Sequence, residues 1–210
     1  MCHSKLYTNY VPKLQFMIRK FFIFYIILHA QFSFANEFEK GMFALEMEDY
    51  ERAVYYLSFE AVQGNPRAQY NLGLMYKNGI GVKKDFNEAL GWFILGSNND
   101  HMLSKYALGL MYYKGEGISK NYTKAMNLFL DASFMGHPAS QINVGNMYYF
   151  GRGVGKNYPK AHMWWSFAKE KGVDAAFSNL TMIENKMTNS QLLEAQKLYN
   201  NCQQKTLPKC

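Results

Sequence analysis

Three segments of this chain align without gaps at a spacing of 36 residues, and that period constrains the fold more than any other feature. They are NLGLMYKNGIGVKKDFNEALGWF from Asn71, ALGLMYYKGEGISKNYTKAMNLF from Ala107 and NVGNMYYFGRGVGKNYPKAHMWW from Asn143. Gly73, Gly109 and Gly145 keep the frame, as do Tyr76, Tyr112 and Tyr148 and the pairs Gly79/Gly81, Gly115/Gly117 and Gly151/Gly153. Val82/Ile118/Val154, Phe86/Tyr122/Tyr158 and Ala89/Ala125/Ala161 follow it as well. A period of this length marks a repeat architecture, in which each small unit buries its apolar face only against its neighbours.

Each unit reads as two helices. Ala68, Leu72 and Tyr76 fall at i, i+4 and i+8, one face of a 3.6-residue period. The glycine of the Gly79 class follows where a left-handed residue closes a helix. Asp85, Asn121 and Asn157 stand where short polar side chains cap the next helix. Gly73, Gly109 and Gly145 are expected where two helices approach closely. The clear repeats span 68–103, 104–139 and 140–175. Asp49-Tyr50, Ala53 and Tyr56-Leu57 lie one period upstream of Asp85-Phe86, Ala89 and Trp92-Phe93, so 36–67 reads as a shorter cap. Ala176 and Leu180 continue the first-helix positions, and Thr188 with Gln191 forms a capping box before LLEAQKLY. Residues 176–210 therefore read as an irregular closing unit. The expected fold is an all-α superhelical solenoid of about five antiparallel helix pairs, two of them caps.

The formal charge of +7 is concentrated at the start of the chain. Lys5, Lys13, Arg19 and Lys20 precede any acid, and without them 19 basic groups face 16 acidic ones. That excess gives no argument for a nucleic-acid partner. From Met17 the chain reads MIRKFFIFYIILHAQFSFA: two cations, an apolar run from Phe21 to Leu28, and a close on Ser33-Phe34-Ala35. This is the pattern of a secretory signal peptide over 17–35. The run is far shorter than the roughly 20 residues that span a bilayer, so no stable membrane span is expected after cleavage. Residues 1–16 do not belong to such a signal and read as an extension upstream of the true start. An uncleaved anchor is the competing reading. Export to the periplasm or beyond suits the cysteines: Cys202 and Cys210 remain in the mature chain, either bridged or as two free thiols.

Nothing in the sequence speaks for catalysis, a cofactor or a metal. Gly79-Ile80-Gly81-Val82-Lys83-Lys84 lacks the strand and the Gly-Lys-Ser/Thr ending of a phosphate loop. His101, His137 and His162 have no cysteine or acid at metal-ligand spacing. Two surface features follow the repeat. Lys84, Lys120 and Lys156, joined by Lys83 and Arg152, form a basic edge that either docks an acidic partner or merely solvates the loop tips. Lys77, Tyr113 and Tyr149, with Phe150 beside the last, face away from the Ala68–Leu72–Tyr76 stripe. They are candidates for partner binding, or else they pack against the neighbouring repeat.

The pattern A-x-x-x-L-G-x-x-Y-x-x-G-x-G-V-x-x-[DN]-[FY]-x-x-A-x-x-[WL] closely resembles the Sel-1-like repeat family, a branch of the tetratricopeptide superfamily, over about 38–187. Ser104 and Ser140 depart from it where Ala68 conforms. MTNSQLLEAQKLYNNC looks like the tail of exported bacterial members. The resemblance implies a right-handed superhelix whose concave side docks a protein or peptide. The expected role is an exported, non-enzymatic scaffold. A cell-envelope enzyme or binder of peptidoglycan or a β-lactam, and a structural envelope component, are the alternatives.

Overall fold

The computed structural model describes residues 36–204; the expected extension 1–16, the signal 17–35 and Cys210 lie outside them. Among the described residues all regular structure is helical. The helices are α1 (Glu37–Glu46), α2 (Tyr50–Val62), α3 (Pro66–Asn78), α4 (Phe86–Asn98) and α5 (Met102–Lys114). Then follow α6 (Tyr122–Phe134), α7 (Pro138–Phe150), α8 (Tyr158–Glu170), α9 (Asp174–Glu184) and α10 (Asn189–Gln204). Consecutive helices pack as antiparallel pairs, and successive pairs stack into an all-α solenoid.

The capping residues set the boundaries. Asp85 accepts hydrogen bonds from the Asn87 and Glu88 amides at 2.7 and 3.2 Å. Asn121 and Asn157 accept from Lys124 and Lys160 at 2.9 and 2.8 Å. Gly79, Gly115 and Gly151 close the first helices in the left-handed region, at φ 75°, 79° and 70°. At the far end Gln191 donates its amide to Thr188 Oγ1 at 3.3 Å, and Thr188 donates its amide to Gln191 Oε1 at 3.0 Å. The two orphan donors of that helix start satisfy each other.

Within each pair, a ring of the second helix rests on a glycine of the first. A Cβ on Gly73 would lie 2.4 Å from Phe93, one on Gly109 2.7 Å from Phe129, and one on Gly145 2.4 Å from Trp165. Phe93, Phe129 and Trp165 are almost wholly buried. Between repeats a second contact recurs. Gly81 sits on the Tyr50 backbone, Gly117 on that of Phe86 and Gly153 on that of Tyr122, with a Cβ 2.9, 2.8 and 2.5 Å from the respective carbonyl oxygens. Each glycine loop thus lies on the first turn of the preceding second helix, and all the loops line one edge of the solenoid.

The closing unit is irregular. α10 rests mainly on α8, bringing Leu198, Tyr199 and the buried Cys202 against Met163 and Phe167. Three periods upstream the same helix positions are Tyr55 and Phe59, and these are 71% and 56% exposed, so the outer face that α10 covers at one end is open at the other.

Gly109→Val is expected to lower the unfolding free energy by about 1–3 kcal/mol through overpacking against Phe129. Gly91 meets nothing within 4 Å, so Gly91→Ala in the interior of α4 is expected to raise it by roughly 0.5–1 kcal/mol. Urea denaturation followed by circular dichroism checks both signs.

Candidate functional site

The first helices α3, α5 and α7 present a continuous face. Tyr70 and Leu74 on α3, Tyr106 and Leu110 on α5, and Ile142 and Asn146 on α7 recur at the repeat period and are all half-buried. α3 and α5 touch directly, so the face is unbroken across the repeat boundary. Tyr70 leans on Phe93 and the His101 ring, with centroids at 6.0 and 5.4 Å. Tyr106 does the same with Phe129 and His137, at 5.9 and 4.5 Å. Burial pushes the Tyr70 phenol up, with a contribution from Tyr106. Burial also pushes up Tyr106, opposed by its hydrogen bond with the Asn143 side chain. Both phenols therefore stay protonated through the physiological range.

His101 and His137 explain why Ser104 and Ser140 break the sequence pattern. Both histidines precede a first helix at the cap position. His137 Nδ1 accepts from the Ser140 amide at 3.2 Å, and the Ser140 hydroxyl lies 2.8 Å from the same nitrogen. His101 Nδ1 and the Ser104 hydroxyl are 3.0 Å apart. Both serines are fully buried. Where Asn65 caps α3 with its own carbonyl, no such serine is needed and Ala68 suffices.

Of the residues singled out as partner contacts, Lys77, Tyr113 and Tyr149 reach the next repeat. Lys77 Nζ pairs with Glu116 at 3.3 Å. The Tyr113 hydroxyl accepts from the Arg152 guanidinium. The Tyr149 hydroxyl accepts from Lys186 Nζ at 2.5 Å. Tyr113 and Tyr149 are half-buried, and only Phe150, edge-on to Tyr149 and beneath Arg152, is largely exposed. Lys84, Lys120 and Lys156 each lie over the aromatic ring that opens the next second helix, Phe86, Tyr122 and Tyr158, at 4.8, 5.9 and 4.8 Å. Lys83 is exposed beside them.

One constellation has no sequence signature. His162 Nε2 on α8 lies 2.9 Å from Glu184 on α9, and Ser166 Oγ lies 3.4 Å from His162 Nδ1. The order is that of a hydrolytic triad, but the Ser166 proton goes to the His162 carbonyl at 2.9 Å, a bond within its own helix turn. The group ties α8 to α9. An open cleft of about 420 Å³ lies nearby between Lys156, Asn157, Tyr158, Pro159, Gln191 and Glu194. Among the described residues no cluster of histidine, cysteine and carboxylate groups is placed to hold a metal ion, and no helix is long and apolar enough to cross a membrane. Cys202 Sγ lies 3.6 Å from Met163 Sδ, and its expected partner Cys210 is outside the described residues. The Tyr199 phenol is pushed up to about 12, by burial and then by its hydrogen bond to Glu170.

The Sel1 repeat family matches residues 29–58, 66–101, 103–137 and 138–173. Among solved structures, a Sel1 repeat protein from Oxalobacter formigenes is 27% identical over 79% of this chain and 75% of its own, with a TM-score of 0.68. A protective antigen of uropathogenic Escherichia coli strains, displaying an SLR fold, is 23% identical with a TM-score of 0.57. That alignment covers 82% of this chain and 46% of the antigen. No curated protein matches the sequence.

Burial lowers the imidazole affinity of His101 and His137 for protons. The unfolded chain, titrating near the ordinary 6.5, then binds protons that the folded chain does not, so stability is complete above pH ~6.5 and falls as pH drops below it. The urea midpoint is expected to decline from pH 7 to 5. His137→Asn, which keeps a capping side chain without the titration, is expected to flatten that decline.

Proposed function

Because the chain belongs to the Sel1 repeat family, whose fold typically mediates protein–protein interaction, we propose that it is an exported, non-enzymatic scaffold that docks a protein or peptide on its first helices. The observation that carries this reading is the continuous face of Tyr70, Leu74, Tyr106, Leu110, Ile142 and Asn146. The direct contact of α3 with α5 draws the first helices together, which is what a concave side requires. Tyrosines held half-buried by neighbouring rings offer large contact area at small entropy cost, and their protonated hydroxyls add donors. Asn146 and the Tyr106–Asn143 pair bring amide groups suited to a peptide backbone.

Export rests on the signal pattern over 17–35, and the start of the solenoid is compatible with it. Asn36 caps α1 by accepting from the Glu39 amide at 2.9 Å, so cleavage after Ala35 leaves the first helix with its cap.

Two measurements test the reading separately. N-terminal sequencing of the protein recovered outside the cytoplasm is expected to begin at Asn36; a product that keeps Phe21–Leu28 overturns cleavage. A photo-crosslinking residue at Leu110 is expected to capture a discrete partner in the native envelope, while one at the 65%-exposed Leu193 on α10 captures none. Equal labelling from both positions overturns the docking face.

A further inference from the structure

The loop edge changes sign along its length. In the first unit the α1–α2 connection and its flanks carry Glu46, Glu48, Asp49 and Glu51, with Arg52 held by Asp49 at 2.9 Å. In the second unit Lys83 and Lys84 are balanced by Asp85 and Glu88. In the third, Lys120 and Lys124 stand beside Glu116, which is engaged by Lys77 and Lys114. The fourth carries Arg152, Lys156 and Lys160 with no acid between Gly151 and Ala161. The stacking of Gly81 on Tyr50, Gly117 on Phe86 and Gly153 on Tyr122 makes these four loops one contiguous edge.

The basic groups are held in place. Lys120 and Lys156 lie over Tyr122 and Tyr158, and Lys124 and Lys160 lie over Tyr112 and Tyr148 at 5.2 and 5.4 Å. Ordering them in advance lowers the entropy cost of meeting a partner's carboxylates. The two poles are three repeats apart. At about 10 Å per stacked helix layer that is roughly 30 Å. Screening acts over about 8 Å at physiological ionic strength, so neither pole neutralises the other within one molecule.

An edge with an acidic end and a basic end is complementary to itself when reversed. We infer that this loop edge is a self-association surface, on which a second copy of the chain lies antiparallel. Glu46, Glu48 and Glu51 of each copy then face Lys156 and Lys160 of the other. The arrangement is isologous and closed, so it forms a dimer and not a fibre. It uses the loop edge and leaves the first-helix face free, so it stands independently of the docking reading above.

Sedimentation velocity on the purified protein over a range of concentrations tests this. A monomer–dimer equilibrium is expected in about 0.1 M salt, with Kd weakened about tenfold or more in about 1 M salt, where screening shortens from about 10 to about 3 Å. The acid-reversed variant E46K/E48K/E51K and the base-reversed variant K156E/K160E are each expected to be monomeric, and an equimolar mixture is expected to form the heterodimer. The inference is overturned by a wild-type chain that stays monomeric at low salt, including one that captures poly-glutamate at its basic end instead. A dimer indifferent to salt overturns it too, as do helical variants that fail to pair when mixed. Should a variant fail to fold, the salt response of the wild-type protein still decides.

Discussion

The rest of the structure depends on how closely a second helix approaches the first. That distance is set by one ring on one glycine: Phe93 on Gly73, Phe129 on Gly109, Trp165 on Gly145. A side chain at the glycine would push the ring outward and with it the whole second helix. Because the same contact recurs in each clear repeat, the pairs share one thickness, and pairs of equal thickness stack in register. The alignment of the first helices into one face, and of the loops into one edge, follows from that single repeated distance.

Register between pairs is held by weaker and more varied contacts. The glycine loop on the preceding helix start is constant, but the polar links are not. Lys77 to Glu116, Tyr113 to Arg152 and Tyr149 to Lys186 are three different pairs, one ionic and two from a cation to a phenol, performing one task at nearly the same place. Lys77 and Glu116 form a partly buried ion pair, whereas the two tyrosines accept charge-assisted hydrogen bonds, so the joints of the array are not equally strong. A solenoid of this kind is a chain of nearest-neighbour couplings, and its weakest joint decides where it opens.

The fold was almost wholly legible because its determinants are local and repeated. Asp85, Asn121 and Asn157 sit where their caps form, and Thr188 and Gln191 bond each other as their spacing implies. What the periodicity could not convey is which residues meet across a repeat boundary. Tyr113 and Arg152 lie 39 residues apart, as do Lys77 and Glu116 one period earlier, but the paired residue types differ and spacing along one helix face does not mark the contact. The serines at 104 and 140 stood out only as departures. Their meaning required the histidine caps beside them, since a buried hydroxyl is tolerated once an imidazole nitrogen receives it. The orientation of α10 was also hidden, because its apolar positions show that one face is covered but not by which helix.

The loop that lies on the preceding helix has a further consequence for how such a chain changes length. The seat of its glycine is made by the backbone and Cβ of the unit before, which any residue but glycine supplies. A duplication of one 36-residue unit therefore arrives with both halves of the glycine seat, and the flanking units meet the same backbone surface as before. Growth by whole modules is conformationally neutral, whereas gain or loss of a single loop residue would displace the glycine from its seat and misalign everything downstream. The architecture permits evolution in steps of one repeat and resists smaller ones.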